Sequence, residues 1–258
     1  MNIKKKYAKI RSTLFQEVQW KYDIKTLQFK TVTNLETYVN KAKLLEHRVK
    51  KVEDNIYLDI INGNCTIISN KEILIPGYGG YNTLFSTVRL KSIDMSNVTV
   101  SSIESLFKES YIKHIRLGNM KTLNEVTSIK GLFANSTLLE SIDFGELDTS
   151  KVTNLSNTFF KCYELKEIDF GDKESAPIKN MECAFGKCLK LKKIVMKNFK
   201  FEYNVITNQT FDSNESLEYV EIPDMPDEKL WIIAVNLRIN GVCKLIRPDG
   251  EIELQLET

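Results

Sequence analysis

Apolar side chains recur along this chain with a period that no single helix or strand would set. Phe107, Phe133, Phe159, Phe185 and Phe211 stand 26 residues apart. Three positions after each comes a small or polar residue: Ser110, Ser136, Cys162, Cys188 and Asn214. An apolar triplet follows, Leu139, Ile142 and Phe144 in one unit and Leu165, Ile168 and Phe170 in the next. Seven and four residues ahead of each aromatic lie further apolar positions, such as Val126 and Ile129 before Phe133. A fixed period of this length predicts stacked coils, because one unit cannot bury its apolar side until its neighbours complete the core.

The expected fold is α+β, a solenoid of the leucine-rich-repeat type whose triplets form a parallel sheet. About six coils span 82–222, the first a shortened unit with Phe85 placed 22 residues before Phe107. The aromatic column is expected inside, with the small residues buried in turns.

The flanks read differently. Residues 1–81 are expected to form a basic N-terminal capping region, starting with a helix that gives way to an extended segment near Gln19. Over 34–52, Leu35, Tyr38, Ala42, Leu45, Val49 and Val52 recur at steps of three and four. With Thr33 and Glu36 spaced as a capping box, they predict one helix whose seam covers the open end of the solenoid. Asn62-Gly63 between apolar runs predicts a hairpin over 56–68, since both central residues of a type I′ turn need positive φ. Pro76 to Gly80 reads as a loop without a phosphate-binding motif. Residues 223–258 are expected to form a C-terminal β cap, with alternation from Trp231 to Ile239 and a turn at Arg-Pro-Asp-Gly.

The segment from Leu147 to Phe170, LDTSKVTNLSNTFFKCYELKEIDF, resembles the BspA-like leucine-rich repeat, a 26-residue bacterial surface-protein unit. The resemblance covers about 112–222 and does not extend before residue 80. It implies a solenoid acting as an adhesive or recognition module, often exported. Asn204 and Thr207 depart from the pattern where apolar residues belong, and the regular turn is expected to loosen there.

Charge adds a partition. The chain of 258 residues carries a net charge of only +2, yet residues 1–56 hold 13 lysines and arginines against six acidic residues. A basic end joined to an acidic body points to a charged partner. No apolar run of about 18 residues predicts a membrane span. No export signal is visible after the basic start, so the expected setting is cytoplasmic. Five sparse cysteines argue for a reducing compartment and against a disulfide framework, and no zinc-like spacing accompanies Cys183 and Cys188.

Side chains alternate between core and solvent along each short strand. The outward positions are expected to gather Asp94, His114, Arg116, Asp143, Glu167, Asp169, Lys193, Tyr219 and Glu221 on one face, with Asp143, Glu167 and Asp169 forming an acidic patch. That patch reads as a solvated face relieved by Arg116 and Lys193, or as a docking face for a basic protein. No catalytic motif, cofactor or metal site is expected, and the function read from the sequence is non-enzymatic protein binding. The alternative is nucleic-acid binding through Lys4, Lys5, Lys6, Lys41, Lys43, Arg48, Lys50 and Lys51, with Phe15, Trp20 and Tyr22 available for stacking. A further variant is an intracellular, phage-type inhibitor that covers a host nucleic-acid-binding protein.

Overall fold

The computed structural model describes residues 7–9, 14–76, 85–223, 244–248 and 250–252. The chain opens with β1 (Tyr7–Lys9), α1 (Leu14–Tyr22), β2 (Thr26–Thr31) and α2 (Leu35–Leu44). Next come β3 (Arg48–Glu53), β4 (Ile56–Ile61), β5 (Asn64–Ser69) and β6 (Glu72–Ile75). The repeats supply β7 (Ser92–Asp94), β8 (Val98–Val100), β9 (His114–Arg116), β10 (Lys121–Thr122), β11 (Ser141–Asp143) and β12 (Glu167–Asp169). They continue through β13 (Ile178–Asn180), β14 (Lys193–Val195), β15 (Phe201–Ile206) and β16 (Tyr219–Glu221), and β17 (Lys244–Arg247) and β18 (Gly250–Ile252) follow. The result is a mostly β solenoid with a parallel sheet and little helix.

Its core is an aromatic column. Phe85, Phe107, Phe133, Phe159, Phe185 and Phe211 stack in order at centroid distances of 4.9, 5.7, 5.5, 5.7 and 5.5 Å. All six are buried. A second stack of Phe144, Phe170 and Phe199 runs beside it, with Phe144 and Phe170 edge-on to Phe159. Such ring pairs add about 0.5–1.5 kcal/mol each beyond the area they bury.

The backbone turns sharply on both sides of each column residue. Positive φ recurs two residues before the aromatic, at Ser105, Gly131, Asn157, Cys183 and Gln209, and two after it, at Glu109, Asn135, Lys161, Lys187 and Ser213. The small residue after each aromatic does more than fill a turn. Ser136 Oγ donates to the Phe107 carbonyl at 2.6 Å, and Cys162 and Cys188 Sγ to those of Phe133 and Phe159 at 3.2 and 3.1 Å. Each therefore ties its coil to the one before. Burial pushes the Cys188 thiol up to about 12 and raises that of Cys162, so both stay protonated donors.

The solenoid begins earlier than the repeat pattern suggests. Phe15 stacks on Phe85 at 4.6 Å, and β2 pairs in parallel with β7, placing Leu27 opposite Ile93. On the other flank β1 pairs with β6 and β6 with β8. Strands β1 and β2 and helix α1 therefore belong to a coil in its own right, separated from the next by the excursion through α2 and β3–β5.

That excursion corrects the helix expected over 34–52. Asn34, not Thr33, is the N-cap, its Oδ1 accepting from Thr37 N at 2.9 Å. The helix stops at Leu44, Glu46 takes φ 60°, and Arg48–Glu53 pairs antiparallel with β4. Val49 and Val52 keep the helical step, but Val49 pairs with Asp59 of β4 and Val52 falls at the irregularity between Lys51 and Glu53. The hairpin forms where expected, with φ 50° at Asn62 and 77° at Gly63.

Strands β5, β4 and β3 extend the sheet beyond β2, so strands rather than a helix close this end. Asp59 of β4 lies in register with Thr66 and, through it, Gln28. Its carboxylate accepts from Tyr38 Oη and faces His47 Nδ1, each at 2.8 Å. Helix α2 therefore lies on the outer face of the sheet.

At the far end β17 adds a parallel strand in register with β16, and β18 folds back against it. The described part of the segment expected as a C-terminal β cap thus continues the stack. The expected alternation over 231–239 and the Gly-rich loop over 77–80 lie outside the described residues. Among the described residues, no helix is long and apolar enough to cross a membrane, and Cys65, Cys162, Cys183 and Cys188 are all free.

Candidate functional site: the outer sheet face and the basic margin

Strand register sets the outer face. Thr26, Ser92, His114 and Ser141 form one row, continued after a break by Glu167, Lys193 and Tyr219. Asp94, Arg116 and Asp143 form a second row, continued by Asp169, Val195 and Glu221. The break is real. Elsewhere the sheet is stitched by bonds such as Lys192 N to Lys166 O and Leu117 N to Asp143 O. Neither bond has a counterpart between Glu140 and Lys166 or between Phe144 and Asp169. Strands β11 and β12 accordingly belong to separate sheets, while the core beneath stays continuous through Phe144 and Phe170 at 4.7 Å.

The expected acidic patch is resolved into pairs. Arg116 bridges two coils, Nη1 to Asp94 Oδ2 at 2.9 Å and Nε to Asp143 Oδ2 at 3.2 Å. Lys193 Nζ meets Glu167 at 3.0 Å and lies over the Tyr219 ring at 5.7 Å. The opening between β11 and β12 interrupts the ladder that was to bring Asp143 beside Glu167 and Asp169.

Three aspartates have a local task as well. Asp94, Asp143 and Asp169 each accept from the N–H two residues on, at Ser96, Gly145 and Gly171, within 2.7–2.8 Å. The Asp-x-Gly and Asp-x-Ser spacing carried that signal. Burial raises the Asp94 carboxyl, but bonds from Ser96 and Arg116 outweigh it and hold it below the usual carboxylate range. Val195, in an outward position, is only 4% exposed.

A concavity of about 440 Å³ lies over β2, β7, β9 and β11. It is lined by Thr26, Gln28, Ser92, Asp94, His114, Arg116, Ser141 and Asp143. Within it His114 Nδ1 bonds Ser141 Oγ at 2.9 Å, and Nε2 stands 3.9 Å from Glu140. The neighbouring amides of His114 and Ser141 are spent on the carbonyls of Lys91 and Lys113.

The residues expected to bind nucleic acid do not form one helical face. Lys4, Lys5 and Lys6 lie outside the described residues. Lys41 and Lys43 project from α2, and Lys51 of β3 pairs with Asp54 at 3.1 Å. Arg48 and Lys50 lie opposite Ile60 and Leu58 on the core-facing side of β3, where they reach the Tyr22 ring at 5.9 Å. Phe15 is buried in the column and offers no stacking surface.

Sequence reasoning passed over a second basic group. Arg89 lies over Tyr111 at 4.3 Å, and Lys25, Lys91 and Lys113 occupy the position before the strand in successive coils, Lys91 N bonding Lys25 O. The signal was present at the second residue of each triplet, a position not read as outward-facing.

Fold and face together define the class, a mostly β solenoid with about six aromatic-centred coils. Within it, residues 101–220 match a family model described as Mycoplasma protein of unknown function, DUF285. No curated protein and no solved structure matches the chain.

Proposed function

We propose that this protein is a non-enzymatic recognition module that docks a protein partner on the outer sheet face, in the manner of BspA-like repeats. One observation carries the reading: the concavity over β2, β7, β9 and β11, floored by charges already fixed in place. Arg116 is held by two carboxylates from neighbouring coils, so its geometry is set before a partner arrives and little side-chain entropy remains to be lost. Fixed charges of both signs select a partner by its pattern and speed its approach. A non-enzymatic role is supported by the setting of His114 and Ser141, an open face whose nearby amides are engaged rather than aimed at a developing oxyanion.

The test compares wild type with the double variant Asp143→Lys/Asp169→Lys in affinity capture read by mass spectrometry. A specific partner retained by wild type and lost by the variant is expected. Retention of the same partner by both proteins would remove the sheet face as the binding surface.

A further inference from the structure

The C-terminal coils set lysine against carboxylate along the margin below the strands. Lys190 meets Glu164 at 2.6 Å and Lys192 meets Glu218 at 2.8 Å. The same pairing begins at Lys113, which meets Glu140 at 2.8 Å, and the coils before it lack it. Lys21, Lys25, Arg48, Lys50, Arg89 and Lys91 have no carboxylate within ion-pair distance among the described residues, and Asp23, in the turn after α1, pairs with none of them. These six cations are close neighbours. Lys21, Arg48 and Lys50 all lie within 6.0 Å of the Tyr22 ring. Tyr22 is one helical turn beyond Gln19, whose amide brackets the Arg89 backbone through Oε1 and Nε2. Arg89 in turn covers Tyr111, and Lys25 and Lys91 immediately precede the paired strands β2 and β7.

Edge protection accounts for part of this. Inward-pointing charges on a terminal strand such as β3 deter pairing with another chain, which explains Arg48 and Lys50. It does not explain Arg89 and Lys91, which belong to a coil covered on both sides. Like charges this close repel unless an anion joins them.

Beside them opens a cleft of about 540 Å³ lined by Arg89, Leu90, Lys91, Tyr111 and Leu138, with Lys113 held against Glu140 at its far side. We propose that this margin binds single-stranded nucleic acid, with phosphates on the cations and a base in the cleft. Coils repeat about every 4.8 Å along the sheet, so the cations follow an extended backbone as a track. A duplex keeps its bases stacked and offers nothing to the cleft, whereas a single strand supplies both groups. The margin's cleft meets the sheet-face concavity only at His114 and is not lined by Asp143 or Asp169, so the Asp143→Lys/Asp169→Lys variant should bind oligonucleotide as wild type does.

The experiment is fluorescence anisotropy of the full chain with a labelled oligothymidylate and oligouridylate, a duplex of equal length and polyglutamate as probes. Neutralising about four phosphates gives a slope of about −3 in log K against log salt, or about a 50-fold loss between about 50 and 200 mM. Arg89→Glu/Lys91→Glu should weaken single-strand binding by at least tenfold and flatten that slope, while Lys190→Glu/Lys192→Glu should leave both unchanged. Circular dichroism confirms that each variant is folded. If the first pair does not fold, Arg89→Gln/Lys91→Gln is read by the same slope. Absence of binding at low salt, equal loss in the two double variants, or equal affinity for duplex or polyglutamate would each overturn the proposal.

Discussion

At the scale of single residues, the column aromatics carry the fold. Phe159 meets four other rings, Phe133, Phe185, Phe144 and Phe170, so its loss opens a cavity that no neighbour can fill. Phe159→Ala should cost about 3–5 kcal/mol, read as a lower urea midpoint at unchanged slope; a cost below about 1 kcal/mol would show that the stack is not the stabilising core. The interval of these rings was legible because each must repeat for the coils to stack. The paired positive-φ positions were not, since the five before the aromatics are held by Ser105, Gly131, Asn157, Cys183 and Gln209. Only one is glycine, the residue that normally announces such a turn. The outward aspartates were legible as positions but misread in role, because half of each carboxylate closes a turn and is unavailable to a partner.

Among elements, α2 and β4 are joined through Asp59, a carboxylate 5% exposed and shared by Tyr38 and His47. Burial, reinforced by the Asp59 hydrogen bond and charge, pushes the Tyr38 phenol up to about 12 from its ordinary 10.0. The folded state therefore prefers the protonated phenol. Its contribution is complete below about pH 10 and is lost as pH rises through the folded value near 12. Tyr38→Phe should lower the melting temperature at neutral pH and fall less than wild type between pH 10 and 12, with the lysines titrating alike in both proteins. Parallel curves would mean that Tyr38 does not fasten the helix. The helix itself was legible to Leu44, and the strand after it was not. Val49 and Val52 stand three apart, a helical step that puts them on opposite faces of a strand, and only pairing with the edge of β4, the next element in the chain, decides for the strand. The first coil was hidden for a related reason. Phe15 precedes its stacking partner Phe85 by 70 residues instead of 26, with α2 and the hairpin inserted between.

For the whole molecule, the opening between β11 and β12 divides the face but not the core. Amide hydrogen exchange should find Phe144 and Lys166 exchanging faster than the equivalent Leu117 and Lys192, whose N–H groups reach Asp143 O and Lys166 O. Equal protection at the two places would show the sheet closed in solution. The opening had no sequence signal, since Ser141-Ile-Asp143 and Glu167-Ile-Asp169 each satisfy the strand pattern. The charge partition was legible in outline, yet its structural centre is the Tyr22 and Arg89 margin, assembled from α1, β3 and the coil that starts the regular stack.

The constant interval between rings also governs how such a chain can change length. Excising or duplicating a segment of 26 residues inside 107–211 leaves every inward contact with an equivalent neighbour and alters the solenoid by one strand spacing, about 4.8 Å. Solvent-side residues then shift as a block relative to the ends. Evolution can therefore shuffle what the surface displays by recombination, without first solving the packing problem again.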